Sequence, residues 1–289
     1  MEQIIREHLQ ERDELEEYLA VYDGERAVFF DQAPEADDEK WETEGKCCLV
    51  LYLERRRDPF RMGTGTLTVR ICPQGQEKME ASVPFVKKAL VKSLDGYIFT
   101  SSKEILMADF RCGGPVAAGE TTVFSMTSFP KPTSIAGSPE ALLRQWTKTQ
   151  LPEILGKELF LIGEEMSEGA FLPTEEKPAV CWRTDRIRTC GQIKDWKTAS
   201  FRTVSVQGHI LAPKETSCAA DIVQKIDSAL IGLDRLEGDD SFILIGRNSR
   251  GDFRVDSVRT GQITVEAICP VPAARDSVEK LKNAGFNMR

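Results

Sequence analysis

Apolar residues along this chain follow two kinds of period, and the same succession of periods occurs twice. Ile4, Ile5 and Leu9, then Leu15, Tyr18 and Leu19, recur near the 3.6-residue helical repeat and predict an opening helical stretch. Ser138-Pro139-Glu140 starts a second one, with serine as N-cap and proline at the first helical position. Its apolar positions are Leu142, Leu143, Trp146, Leu151, Ile154 and Leu155, and Leu142-Leu143-Arg144 matches Ile4-Ile5-Arg6 at an offset of 138. A turn-rich segment follows each helix, Phe30-Asp31-Gln32-Ala33-Pro34 in one case and Phe171-Leu172-Pro173 in the other. Apolar runs over 47–53 and 179–182 then predict strands, succeeded by polar connections over 54–62 and 183–197. Leu67, Val69 and Ile71 next alternate with Thr66, Thr68 and Arg70, the period of a strand with one buried face. Val204 and Val206 repeat Leu67 and Val69 at an offset of 137, and Ile210 continues the row past Gly208.

An amphipathic helix is predicted after each alternating strand. Val86, Leu90 and Leu94 form an i, i+4, i+8 stripe, and Ile222, Ile226 and Leu230 form another at an offset of 136. Strands return over 105–110 and 121–129, answered by 242–245 and 262–269, with Phe253-Arg254 matching Phe110-Arg111. The fold class is therefore read as α+β, with two tandem copies of a helix-plus-mixed/antiparallel-sheet domain. Unit 1 spans 1–132 and unit 2 spans 138–289, whose C-terminal extension carries a short helical pattern at Val278 and Leu281. The junction Lys131-Pro132-Thr133-Ser134-Ile135-Ala136-Gly137 is rich in residues that interrupt regular structure. A length of 289 residues agrees with two domains of ~150 residues each. Leu67, Val69, Leu90, Val204, Val206 and Ile226 are expected in the cores.

Composition narrows the class. Hydrophobic residues make up 41% of the chain and charged ones 29%, which permits a sizeable globular core. No apolar run approaches the ~18 residues that span a bilayer, and Met1-Glu2-Gln3-Ile4-Ile5-Arg6-Glu7 is a charged amphipathic start. A soluble, cytoplasmic protein with no membrane partner is expected. The net charge of −8 is uneven: residues 1–45 hold sixteen acidic and four basic side chains. That acidic start is either a solvated helix face and loop or a docking surface for a basic partner. Nucleic acid is not an expected partner, because the densest basic run is only Arg55-Arg56-Arg57.

The eight cysteines (Cys47, Cys48, Cys72, Cys112, Cys181, Cys190, Cys218, Cys269) include no C-x-x-C pair, and only His8 and His209 accompany them. No metal or other cofactor is expected, and the cysteines read as reduced core thiols. Gly63-Thr64-Gly65-Thr66 precedes a strand where a phosphate loop would follow one, so it reads as a tight turn. Cys112-Gly113-Gly114-Pro115 reads as another. His209 is expected on the outward face of its strand and His8 at the edge of a helix core; nothing favours a Cys218–His209 pair. No catalytic residue is assigned. The candidate interface residues are Trp41 and Trp196, aromatics flanked by charges in polar connections, with Arg55, Arg56 and Arg57. For each tryptophan the alternative is a ring folded back on its own domain.

Unit 2 carries a resemblance. A starting helix and Pro-flanked extended segment lead to Thr203-Val204-Ser205-Val206-Gln207-Gly208-His209-Ile210, a helix over 219–230 containing Asp221-Ile222-Val223-Gln224-Lys225-Ile226-Asp227, and a strand from Gly261-Gln262-Ile263-Thr264-Val265-Glu266. This order resembles the tail terminator (tail-completion) family of long-tailed phages and prophages, over about 135 residues here and more faintly over 1–130. The resemblance implies a non-enzymatic assembly protein that caps the tail tube and mediates joining to the head, located in the host cytoplasm and on the virion. It implies the tail tube or head–tail joining proteins as partners, and rings of six single-domain subunits. Two units in one chain depart from that pattern and point to a homotrimer forming a pseudo-hexameric ring. Other readings are a different virion or secretion-system structural component, a small-molecule-binding or regulatory two-domain protein, and an unrecognised enzyme.

Overall fold

The computed structural model describes residues 1–42, 46–56, 62–73, 83–116, 119–132, 135, 137–164, 168–189, 199–238, 241–246, 250–252 and 261–272. The chain folds into two units, Met1–Lys131 with Gly163–Thr174, and Pro132–Ile162 with Glu175–Arg289. The junction between Lys131 and Pro132 lies where the Pro-, Ser- and Gly-rich stretch begins.

Unit 1 opens with α1 (Glu2–Gln10) and α2 (Asp13–Glu16), two helices where the periodicity suggested one. The break comes at Arg12, whose ψ of 114° is extended. Next is a tight hairpin of β1 (Val21–Tyr22) and β2 (Glu25–Arg26), turned by Asp23 and Gly24 at φ 53° and 80°. Asp-Gly suits this turn because both central residues must adopt positive φ. There follow β3 (Val28–Phe30), β4 (Cys47–Arg56), β5 (Gly63–Pro73), α3 (Val83–Leu94), β6 (Ile98–Thr100), β7 (Ile105–Val116) and β8 (Gly119–Phe129). Unit 2 contains α4 (Pro139–Thr149), α5 (Leu151–Leu155) and β9 (Phe160–Leu161). After β10 (Gly169–Phe171), which belongs to unit 1, come β11 (Ala179–Thr189), β12 (Ala199–Leu211), α6 (Cys218–Ile231), β13 (Arg235–Glu237), β14 (Phe242–Ile245), β15 (Arg250–Asp252) and β16 (Gln262–Pro272).

Both units are mixed helix and sheet, each built on a sheet of seven strands among the described residues. From its parallel edge the first sheet runs β3-β4-β5-β8-β7-β6, and the second β9-β11-β12-β16-β14-β13. In each, the first pair is parallel and every following pair antiparallel. β6 and β13 start 137 residues apart, as do β7 and β14. The sheets differ at two places. β14 and β15 both pair with β16, where the first sheet has the single long β7 along β8. The first sheet also continues past β6 to β10. The 163–174 stretch, placed in unit 2 by the sequence reading, thus belongs to unit 1, because its β10 completes that unit's sheet edge.

Helices pack on one face of each sheet. Ile5, Leu9, Leu15, Val86, Leu90 and Leu94 meet Leu49, Leu51, Leu67, Val69, Phe99 and Phe124 in unit 1. Leu143, Trp146, Ile222 and Ile226 meet Val180, Trp182, Val206 and Val265 in unit 2. Burying each such side chain contributes about 1.5–3 kcal/mol relative to exposure. All six expected core positions are buried. Ser138 caps α4 as expected, its side chain accepting from Ala141 N at 3.2 Å. Ile154 is helical as expected but exposed, one residue before the last position of the short α5.

Two sequence-based turns are strand instead. Gly63–Thr66 begins β5 and Cys112–Pro115 lies within β7, where the register shifts between Phe110 and Cys112. The glycines have a cross-strand reason: a Cβ on Gly63 would stand 2.6 Å from the Arg56 carbonyl oxygen, and one on Gly65 would overlap that of Glu54. The polar connections are correspondingly shorter than expected, since β4 runs to Arg56 and β11 to Thr189. Phe253-Arg254 and the pattern at Val278 and Leu281 lie outside the described residues. No helix among the described residues is long and apolar enough to cross a membrane.

Candidate functional site

The outer edge of the sheet distinguishes the units. In unit 1, β6 receives β10 in antiparallel register, with Ile98 opposite Phe171, Phe99 opposite Ala170 and Thr100 opposite Gly169. Glu168 anchors this addition: its Oε1 accepts from Ser102 N at 2.9 Å, and that hydrogen bond holds its carboxyl below the usual carboxylate range. Gly96, at φ 81°, leaves room for the Leu172 side chain, whose Cδ1 would lie 3.5 Å from a Cβ there. In unit 2, β13 occupies the position of β6 and ends the sheet among the described residues. Gly238 N donates to Ser241 O at 2.7 Å and Ile245 N to Asp234 O at 3.4 Å, so the backbone groups of 234 and 238 face β14. Alternation then directs those of Arg235 and Glu237 away from the sheet. Both residues are exposed, while Leu236 between them is buried.

A cleft lies between first helix and outer strand in each unit. In unit 1 it measures about 620 Å³ and is lined by Glu7, His8 and Glu11 of α1 and its end, by Ser102 and Glu104, and by Glu168. In unit 2 it measures about 410 Å³, between Leu142 and Trp146 of α4 and Arg235 and Leu236 of β13. Trp146 Nε1 is buried and finds no acceptor among the described residues.

His8 is positioned by packing, as its helix-edge location suggested. Its Nε2–H donates to the Ser93 carbonyl at 2.7 Å, and its ring lies 4.5 Å from Tyr97 and 5.4 Å from Phe99 between centroids. Burial pushes its pKa below the ordinary value despite that hydrogen bond. A depressed histidine folds neutral, so its contribution is fully present above the unfolded value near 6.5 and is lost as pH falls below it. Wild-type chain should therefore lose urea resistance more steeply than His8→Gln as pH falls below about 6.5. Parallel profiles for the two proteins would refute the assignment.

The other sequence-selected residues are dispersed. Trp41 folds back onto unit 1, half-buried, 5.0 Å from Tyr22 and 5.9 Å from Phe29, with Nε1 donating to Glu35 O at 2.9 Å. Arg55 is tied down by ion pairs to Glu104 and, at 3.0 Å, to Glu2. Arg56 is exposed. Arg57 and Trp196 lie outside the described residues. His209 is a correction: it is buried, and Arg183 Nε donates to its Nε2 at 3.2 Å. The alternation placed it opposite Val206 and Ile210, but Cys181 and Leu211 on that face are buried too. Cys218 lies elsewhere, its sulfur 3.8 Å from Lys157 Nζ and from the Glu175 carbonyl. Among the cysteines, Cys47, Cys48, Cys181 and Cys218 are core thiols as expected, Cys72 and Cys269 are intermediate, and Cys112 is exposed because it leaves the core on β7. Cys190 is outside the described residues.

Comparison with protein-family models, with curated proteins and with solved structures yields no match for this chain. The residues that build the edge, Glu168, Gly169–Phe171 and Arg235–Glu237, escaped the sequence reading. Their one visible signal was the turn-rich Phe171-Leu172-Pro173 segment, since three-residue strands carry no measurable period.

Proposed function

We propose that this chain is a non-enzymatic structural subunit of phage or prophage tails, a tandemly duplicated relative of the tail terminators that caps the tail tube and mediates joining. The observation that carries the reading is one strand order occurring twice, with its outer edge extended by β10 in unit 1 and, among the described residues, ending at β13 in unit 2. Shared strand directions and offsets near 137 support the duplication. In assembly, a second copy lays the segment after its β3, residues 31–36, along β13. That segment occupies the same place after β3 as the β10-bearing segment does after β9. Its residues are mostly exposed. Backbone pairing to an open edge is an established way for extended segments to dock. A head-to-tail contact of this kind closes into a ring by rotation, and three two-unit chains supply six positions. The acidic start and exposed Arg56 then face the tube or the joining proteins, first in the host cytoplasm and later on the virion.

Light scattering in physiological salt should give a species three times the 32.3 kDa chain mass, alone or with a tail-tube protein. Glu237→Pro removes an outward N–H from the edge of β13 and should reduce it to monomer with unchanged circular dichroism. A wild-type chain that stays monomeric at high concentration and with tail-tube protein would remove the ring. Another virion or secretion-system component with the same repeated unit is the second reading. It shares the open-edge observation and is distinguished by which purified tube protein binds.

A further inference from the structure

The thiols offer chemistry independent of the assembly reading. Cys48 on β4 and Cys72 on β5 stand directly opposite each other in the antiparallel ladder. Which kind of opposition this is follows from their neighbours. Cys47 N donates to Tyr18 O at 2.9 Å, its carbonyl accepts from Ala20 N at 2.8 Å, and Leu49 N donates to Ala27 O at 3.0 Å. The backbone groups of 47 and 49 therefore point away from β5, and those of Cys48 point toward it. Cys48 and Cys72 are thus a hydrogen-bonded pair, with Cα atoms about 5.5 Å apart. That spacing falls in the range of about 4.4–6.8 Å between the Cα atoms of disulfide-linked cysteines.

The side chains agree with the backbone. Cys48 and Cys72 share the small cluster of Ala20, Ala27 and Val50, whereas Cys47 points to the opposite face, in the main core. Cys48 is fully buried and Cys72 half-buried, so Cys72 is the more accessible residue of the pair.

We propose that Cys48 and Cys72 form a site of reversible thiol oxidation, in which small disulfides react at Cys72 and Cys48 resolves the product, stapling β4 to β5. The Cys72 thiolate attacks one sulfur of the small disulfide, whose other half leaves as a thiolate and takes up a proton. Cys48 then gives up its proton, attacks the Cys72 sulfur and displaces the second small thiol. Two protein thiols are oxidised and one small disulfide is reduced to two thiols. The Cys48 hydrogen bond lowers the Cys72 pKa to about 7, against burial and with help from Arg70. Burial raises Cys47 to about 11 and Cys181 to about 12, which keeps those thiols protonated and inert.

The test uses the native full-length chain and glutathione disulfide as probe. After incubation, remaining thiols are alkylated in denaturant and the intact mass and peptides are measured. The expected product lacks two hydrogens, carries Cys48 and Cys72 in one cross-linked peptide pair, and returns to the starting mass with dithiothreitol. Cys48→Ala should stop at a single glutathionyl adduct on Cys72, and should move the midpoint of Cys72 alkylation upward from about pH 7. Cys72→Ser should leave Cys48 fully alkylatable. A stable glutathionyl adduct on wild-type Cys72, a cross-link between other cysteines, or recovery of both residues as alkylated thiols would each overturn the proposal. The wild-type result decides the matter even if a variant fails to fold.

Discussion

Replacing Ile226 by alanine is expected to cost about 2–5 kcal/mol of stability, the range for deleting a fully packed isoleucine side chain. Ile226 is fully buried in the middle of α6, within the stripe formed with Ile222 and Leu230. That stripe packs with Val206 of β12 and with Ile263 and Val265 of β16, strands from the interior of the sheet order. Rigid neighbours on the sheet side limit collapse into the vacated space, which places the loss toward the upper part of the range. Ile231 on the same helix is 72% exposed and supplies the control. Ile231→Ala should change stability by less than about 0.5 kcal/mol. Urea unfolding at constant slope reads both effects as midpoint shifts. Equal costs for the two substitutions would show that the inward face of α6 is misassigned.

Elements were legible in the sequence where burial imposes a period. The stripes at Val86/Leu90/Leu94 and Ile222/Ile226/Leu230 became α3 and α6, and the alternation from Leu67 and Val204 became β5 and β12. Where strands outrun the core the period disappears. Arg183 to Arg188 continues β11 with residues half-buried or exposed, so its polar sequence read as a connection. Gly63 and Gly65 read as a turn because sequence does not show which backbone will lie against them. His209 shows a different limit: alternation assigns a residue to a face but says nothing of whether that face is covered. Of the candidate interface, Trp41 and Arg55 are held by partners within unit 1. The edge strands β10 and β13 were invisible because three residues carry no measurable period, and β10 depends in addition on long-range pairing. Gly169–Phe171 pairs with Ile98–Thr100, some seventy positions earlier.

Gly208→Ala should destabilise the chain by about 1–3 kcal/mol through overpacking, against the usual direction for a glycine within a strand. Gly208 lies opposite Trp182 in the β11–β12 ladder. At the matching position the first sheet pairs Leu49 with Ile71, two medium side chains where unit 2 has one large ring over none. A Cβ on Gly208 would stand 2.5 Å from Trp182 Cζ3 and 2.8 Å from Cη2. The ring has little freedom to yield: it is 2% exposed, and its Nε1 donates to Thr147 Oγ1 at 2.7 Å. Thr147 is fixed in turn, donating to Leu143 O at 2.8 Å within α4. Backbone strain is not the cause, since Gly208 is not among the glycines with positive φ. The penalty therefore belongs to the pair and should vanish with the ring. In a Trp182→Leu background, Gly208→Ala should be neutral or stabilising, because alanine restricts the unfolded chain more than glycine does. A double-mutant cycle measures this coupling directly. An unchanged cost of Gly208→Ala without Trp182 would show that something other than the indole fixes glycine at this position.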